Sequence, residues 1–115
     1  MRIEDYRFGH IQIDGKTYSS DVLIWPGHVD DSWWRKEGHN LCAADLEKVL
    51  DKDLDVLVIG RGANGVMKVP QETVREIKQS CPEVHVAKTK EACDKFNDLS
   101  EKADLRVGAA LHLTC

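Results

Sequence analysis

The chain predicts an α/β fold of three layers, a central mixed β-sheet flanked by helices and preceded by an N-terminal β-hairpin. Three observations carry that expectation. Residues 54–59, Leu-Asp-Val-Leu-Val-Ile, are nearly continuously apolar, as a strand covered on both faces must be. Further on, segments with apolar residues at helical spacing alternate with short β-rich runs, the order of a sheet wrapped in helices. Near the start, Asp14-Gly15 separates two β-rich runs and supplies the positive φ angles of a two-residue hairpin turn.

Taken in order, residues 8–13 and 16–25 are the two arms of the hairpin. Pro26 has no N–H to continue a ladder, so residues 26–40 read as a structured loop with all three tryptophans, Trp25, Trp33 and Trp34, in or beside it. A first helix spans about 42–51 with Leu46, Val49 and Leu50 on one face, and the 54–59 strand follows. After a glycine loop, Pro70 opens the second helix, where a missing N–H is harmless, and Glu72 adds favourable charge to its first turn. Its stripe is Val74, Ile77 and Cys81. Residues 84–88 form a short strand, and Thr89 caps a third helix with Ala92, Phe96, Leu99 and Ala103 on its buried side. Residues 105–113 close the sheet. The predicted order is ββαβαβαβ, with right-handed crossovers, in a single domain over 1–115.

Composition narrows the function classes. A chain of 115 residues buries one core. Its net charge of -4 argues against nucleic acid, whose recognition leaves a basic footprint. No apolar run approaches the roughly 18 to 20 residues of a membrane span, and the N-terminus lacks the apolar region of a secretory signal. The expectation is a soluble cytoplasmic protein, a monomer or weak homodimer. Its four cysteines have no Cys-x-x-Cys pairing and read as free thiols, with Cys81 and Cys93 in the core.

Gly60-Arg-Gly-Ala-Asn-Gly65 matches the dinucleotide fingerprint G-x-G-x-x-G and follows a strand. Two departures oppose that chemistry. Val66-Met-Lys-Val69 delays the helix, and no acidic residue ends the next strand to hold a ribose. No cofactor is therefore expected. The loop is either a turn that uses glycine at positive φ or an anion cradle in which exposed amides act with Arg61, Gly62 and Asn64.

His39-Asn-Leu-Cys42 and His112-Leu-Thr-Cys115 carry ligand types suited to tetrahedral zinc. In an extended strand, however, residues three apart point to opposite faces, and no metal site is expected. The same objection meets a Cys115 nucleophile activated by His112, for which the sequence also offers no residue to orient the base. His112 reads instead as a hydrogen-bonded, partly buried residue at a strand end, and Cys115 as a packed thiol. Asp21, placed just before the apolar Val22-Leu-Ile24, needs a partner such as Arg61 or His39. Trp33-Trp34-Arg35-Lys36 is the one place where aromatic and basic residues interleave. Trp33, Trp34 and Arg35 are candidate anchors for a protein partner, the alternative being indoles folded over the sheet.

Phe8-Gly-His-Ile-Gln-Ile-Asp-Gly15, Tyr18, Asp21-Val-Leu-Ile24, Trp34-Arg35, Gly38-His39, Val56-Leu-Val-Ile-Gly60 and Ala109-Ala-Leu-His-Leu-Thr-Cys115 together resemble a small single-domain family long known only as a domain of unknown function. Its relatives include the mitochondrial complex I assembly factor and the adipogenesis-associated domain protein. The resemblance implies the same three-layer fold. It implies no particular reaction, and its assembly-factor members imply a protein-binding role. The His-Leu-Thr-Cys ending is similar to the archaeal and bacterial branch, and a mitochondrial presequence is not seen.

Two functional expectations follow. One is a non-catalytic protein-binding or assembly-type domain that uses the tryptophan loop. The other is a small-anion or ligand-binding domain, with or without catalysis, built from the Gly60–Gly65 loop with Asp21, His39, Arg61 and His112.

Overall fold

A computed structural model describes all 115 residues. The architecture is α/β, as the sequence predicts. Eight strands form two sheets: β1 (Ile3–Arg7), β2 (His10–Ile13) and β3 (Lys16–Tyr18) make a small antiparallel meander. The central sheet contains β4 (Val22–Trp25), β5 (His28–Asp30), β6 (Val56–Arg61), β7 (Glu83–Ala87) and β8 (Val107–His112), in the order β5-β4-β8-β6-β7. It is mixed: β6 is parallel to both β7 and β8, whereas β4 is antiparallel to β8 and β5.

The helices are α1 (Glu47–Leu50), entered through a 3-10 turn at Ala43–Leu46, α2 (Gln71–Ile77) and α3 (Thr89–Ser100). Each face of the central sheet carries its own core. On one, Ile11, Ile13, Phe96 and Ala92 from the meander and α3 meet Ile24, Val58 and Leu111. On the other, Trp33, Leu46, Val49 and Ile77 cover Leu23, Leu57, Ile59 and Ala110. Burial of both faces explains the unbroken apolar pattern of β6 and β8, all of whose residues but Arg61 are buried.

Six expectations are corrected in detail. The predicted hairpin is a three-stranded meander, because β1 adds an arm. That strand exposes Glu4, Asp5 and Arg7 and buries Ile3 alone, so it shows no clear alternation. Asn97 compensates by pairing with both the N–H and the carbonyl of Ile3, at 2.8 Å each.

The second arm, expected as one strand over 16–25, breaks at Ser19–Asp21, and β4 passes into the other sheet. Val22, Leu23 and Ile24 are all buried, which an edge of the small meander could not provide.

Pro26-Gly27 does not end the β-structure. Trp25 faces His28 across it, and Gly27 has φ 80°, so Pro26 and Gly27 hold the two central positions of a type II turn. Residues 28–30 therefore belong to β5 and not to a loop.

At α3 the N-cap is Lys88, and Thr89 makes no capping bond. Ala103 lies beyond the helix and is exposed. The first predicted helix is shorter than expected, a 3-10 turn followed by one helical turn.

Candidate functional site

Asp21 occupies the break between β3 and β4, where its backbone has left one sheet and not yet joined the other. From there its carboxylate reaches the end of β8. Oδ2 accepts from Arg35 Nη1 at 2.9 Å and from His112 Nδ1 at 2.8 Å, and Oδ1 accepts from the Leu113 amide at 2.8 Å. The side chains are 19% exposed for Asp21, 6% for Arg35 and 7% for His112, so the cluster is largely buried and meets solvent through the Asp21 carboxylate.

Three donors converge on one carboxylate. Burial by itself pushes the Asp21 carboxyl up, and the hydrogen bonds from His112, the Leu113 amide and Arg35 outweigh it, holding the group below the usual carboxylate range. An ionised carboxylate only accepts, so the proton on His112 is assigned from its partner to Nδ1. In the neutral ring Nε2 is then a bare acceptor. It is buried and has no hydrogen-bond partner.

The loop that carries Arg35 is fixed from several directions. Its guanidinium donates twice to the Gly38 carbonyl, at 3.3 and 3.1 Å, and lies 4.5 Å over the Trp33 ring, a favourable cation–π distance. Trp33 is 8% exposed and donates from its indole to the Asp45 carbonyl at 2.8 Å. Trp34 beside it is 75% exposed. The expected trio of anchors is thus divided: Trp33 is core, Arg35 serves Asp21, and Trp34 remains at the surface.

Trp34 stands at a cleft of about 330 Å³, whose lining includes Trp33, Leu23, Lys36, Cys42, Ala44 and Lys48.

His39 is exposed, with its ring set edge-on to that of His112 at 5.7 Å between centroids. Its carbonyl accepts from the Lys68 amide at 2.9 Å. Of the residues singled out in the sequence, Asp21, His39 and His112 come together; Arg61 pairs with His112 across β6 and β8, but its guanidinium is engaged by its own loop. The expected partner of Asp21 is corrected accordingly: Arg35 and His112 fill that role, not Arg61 or His39. Arg61 donates from Nε to the Met67 carbonyl and from Nη2 to the Gly65 carbonyl, both at 2.8 Å.

The glycine loop wraps the end of the chain. The amides of Ala63, Asn64 and Val66 donate to the carbonyls of Thr114, Cys115 and Cys115 at 2.7, 3.3 and 3.0 Å. Gly62 has φ 100°, and a β-carbon there would lie 2.3 Å from the Cys115 carbonyl carbon and 2.9 Å from His112 Cδ2. The amide cradle foreseen for an external anion is therefore engaged by the chain itself. Asn64 is exposed.

The two His-x-x-Cys pairs do not assemble. Cys42 Sγ donates to Asp45 at 3.3 Å, and no group of three or more His, Cys, Asp or Glu side chains is placed to hold a metal ion.

Two residues of this site carry other roles in the sequence reading, Arg35 as a partner anchor and Thr89 as a helix cap. Arg35 gave no sign that it is buried, since the carboxylate it pairs with, Asp21, lies 14 positions away. The Thr89 hydroxyl accepts from the Gly62 amide at 2.8 Å and donates to the His112 carbonyl at 2.6 Å, locking β6, α3 and β8 behind the site. Asp21 was legible, as a carboxylate entering an apolar strand.

A family model described as a protein of unknown function (DUF498/DUF598) matches residues 3–112. A conserved hypothetical protein of Pyrococcus horikoshii OT3 is similar over the full length of both chains, with 32% identity and a TM-score of 0.82. The protein MT938 shares 27% identity over 99% of this chain and 98% of its own, with a TM-score of 0.77. A Bordetella parapertussis protein has the same fold at 23% identity, covering 96% of this chain and 92% of its own, with a TM-score of 0.77. No helix is long and apolar enough to cross a membrane.

Proposed function

This chain belongs to the DUF498/DUF598 family of proteins of unknown function, and from that premise we propose that it is a non-catalytic protein-binding domain of the assembly type. Trp34 and the cleft beside it form the contact surface. The observation that carries the reading is the 75% exposure of Trp34. Keeping a whole indole in water forgoes roughly 2 kcal/mol or more of burial free energy, and tryptophan is among the residues that most often anchor interfaces.

The surroundings of Trp34 support this role. Trp33 and Leu23 give the cleft an apolar wall, while Lys36 and Lys48 with Asp30, Asp45 and Glu47 supply a polar margin, the arrangement of a contact core and rim. The Asp21, Arg35 and His112 cluster supports a structural part behind that surface. Its charged groups already satisfy one another, and little of it reaches solvent.

The test is native mass spectrometry of the protein isolated gently from its own cells, as wild type and as Trp34→Ala. Expected is a protein partner at fixed stoichiometry that the substitution removes, with the circular dichroism spectrum and melting temperature unchanged. A partner that survives Trp34→Ala, or no partner from cross-linked cells, would overturn the assignment.

One observation favours a second reading, a ligand at the Asp21, His39 and His112 cluster: the buried Nε2 of His112 without a donor. A small-mass adduct lost on His112→Ala would support it.

A further inference from the structure

Three cations gather at the carboxyl ends of β6 and β7 with no carboxylate in salt-bridge contact with them, Glu37 only lining a neighbouring groove beside Lys68. Arg61 ends β6. Its two hydrogen bonds to the loop carbonyls of Met67 and Gly65 fix the guanidinium and leave Nη1 without a partner. Lys88 follows β7 directly. Its stem and Arg61 converge over Gly65: from the point where a β-carbon would sit, Lys88 Cγ and Cε lie 3.3 and 3.6 Å away and Arg61 Cζ 3.9 Å. Lys68 shares with Arg61 a shallow groove of about 500 Å³ that also includes Val69, Pro70 and Val86. The Lys68 backbone is itself pinned, its amide on the His39 carbonyl and its carbonyl on the Leu41 amide, both at 2.9 Å.

None of these cations takes part in an ion pair. Every salt bridge of the protein uses other residues, although the chain holds 20 carboxylates and a net charge of -4. Bringing like charges together is unfavourable, and an anion placed among them reverses the sign. The carboxyl end of parallel strands is also where open α/β sheets receive ligands.

We propose that Arg61, Lys68 and Lys88 bind the phosphate group of a small phosphorylated molecule, whose remainder lies along Val69, Pro70 and Val86. Three cations match a dianion better than the single charge of a carboxylate, and lysine and arginine are the usual protein partners of phosphate. The donors are side chains, since the amides of the glycine loop are taken. The site is separate from the Trp34 surface and does not depend on it.

The experiment is an NMR titration of the isotope-labelled full chain with inorganic phosphate, against sodium chloride at matched ionic strength. Expected are saturable shifts at Arg61 Nε and at the amides of Gly65, Lys68 and Lys88. The double variant Lys68→Ala, Lys88→Ala should bind about tenfold more weakly or worse, with the rest of its spectrum unchanged. This variant leaves the loop bonds of Arg61 in place, so loss of binding is distinguishable from loss of fold. Shifts that do not saturate, that chloride reproduces, or that persist in the double variant would overturn the proposal. So would tighter binding to vesicles bearing phosphate-monoester headgroups than to free phosphate, which would move the ligand from a small molecule to a lipid surface.

Discussion

The Asp21 carboxylate and the His112 imidazole meet at 2.8 Å across 91 residues of sequence, joining the entrance of β4 to the end of β8. The two strands pair antiparallel from Val22 and Leu111 onward, and the contact extends that pairing by one side-chain link where the backbone ladder stops. Arg35 adds a third strut from the tryptophan loop.

Replacing Asp21 by Asn removes the charge and leaves Arg35 buried without its counter-ion. Breaking such a pair from one side costs about 3 kcal/mol, read as a fall in the urea midpoint at pH 7. The pH dependence has a definite sign. The folded carboxyl titrates below the usual range, so its unfolded pKa, about 3.9, is the higher of the two. The stability it contributes is complete above the unfolded value and is lost as pH falls through the folded one. The gap between wild type and Asp21→Asn should thus hold steady from pH 7 to about pH 4 and narrow below that. A gap that fails to narrow once the carboxyl is protonated would show that the charged carboxylate is not what stabilises this corner.

How legible this arrangement was depends on distance along the chain. Local chemistry was readable: Asp14 and Gly15 adopt φ 48° and 83°, as their hairpin turn requires, and α2 begins immediately after Pro70. The β6 run was visible because both its faces are buried, and β1 was not, because one face of it is solvated. At Pro26-Gly27 two local signals conflict, a proline without an N–H for a ladder and a Pro-Gly pair suited to a type II turn, and the pairing of Trp25 with His28 shows that the turn prevails. The site was half legible. Asp21 showed that a partner was needed, yet nothing local could point to Arg35, whose place is set by stacking on Trp33 and by the carbonyl of Gly38. Trp33 and Trp34 are adjacent and similar, and only the packed loop decides which enters the core.

The four thiols should separate by reactivity. Burial pushes Cys93 up to about 12, and Cys81 is also raised, first by burial, and is 1% exposed. The thiolate is the reactive form, so neither should react with a disulfide reagent at pH 8 until the protein unfolds. Cys42 is half-buried and raised by burial and by Asp45, which makes it slow. Cys115, also half-buried, should react first. Mass spectrometry of peptides after timed labelling gives the order. Early labelling of Cys93 without loss of structure would contradict the core as described.

Thr89 offers the sharpest separation of shape from hydrogen bonding. Its hydroxyl is the partner of the Gly62 amide and also donates to the His112 carbonyl, and the residue is fully buried. Valine has nearly the same volume but leaves an amide in a dry environment without an acceptor. Each buried polar group so orphaned costs about 1 to 3 kcal/mol. Thr89→Val should therefore destabilise the fold by about 3 kcal/mol, and Thr89→Ser, which keeps the hydroxyl and loses a methyl, by about 1 kcal/mol. The loss should also be local. In hydrogen exchange, the amides of Gly62, Ala63 and Val66 should lose protection in Thr89→Val before those of β4 do, because the variant leaves the loop tied to α3 only by the bond from the Thr89 amide to the Gly62 carbonyl at 3.1 Å. Equal costs for the two variants would mean that Thr89 matters for its packing and that the bridge between β6 and β8 is held elsewhere.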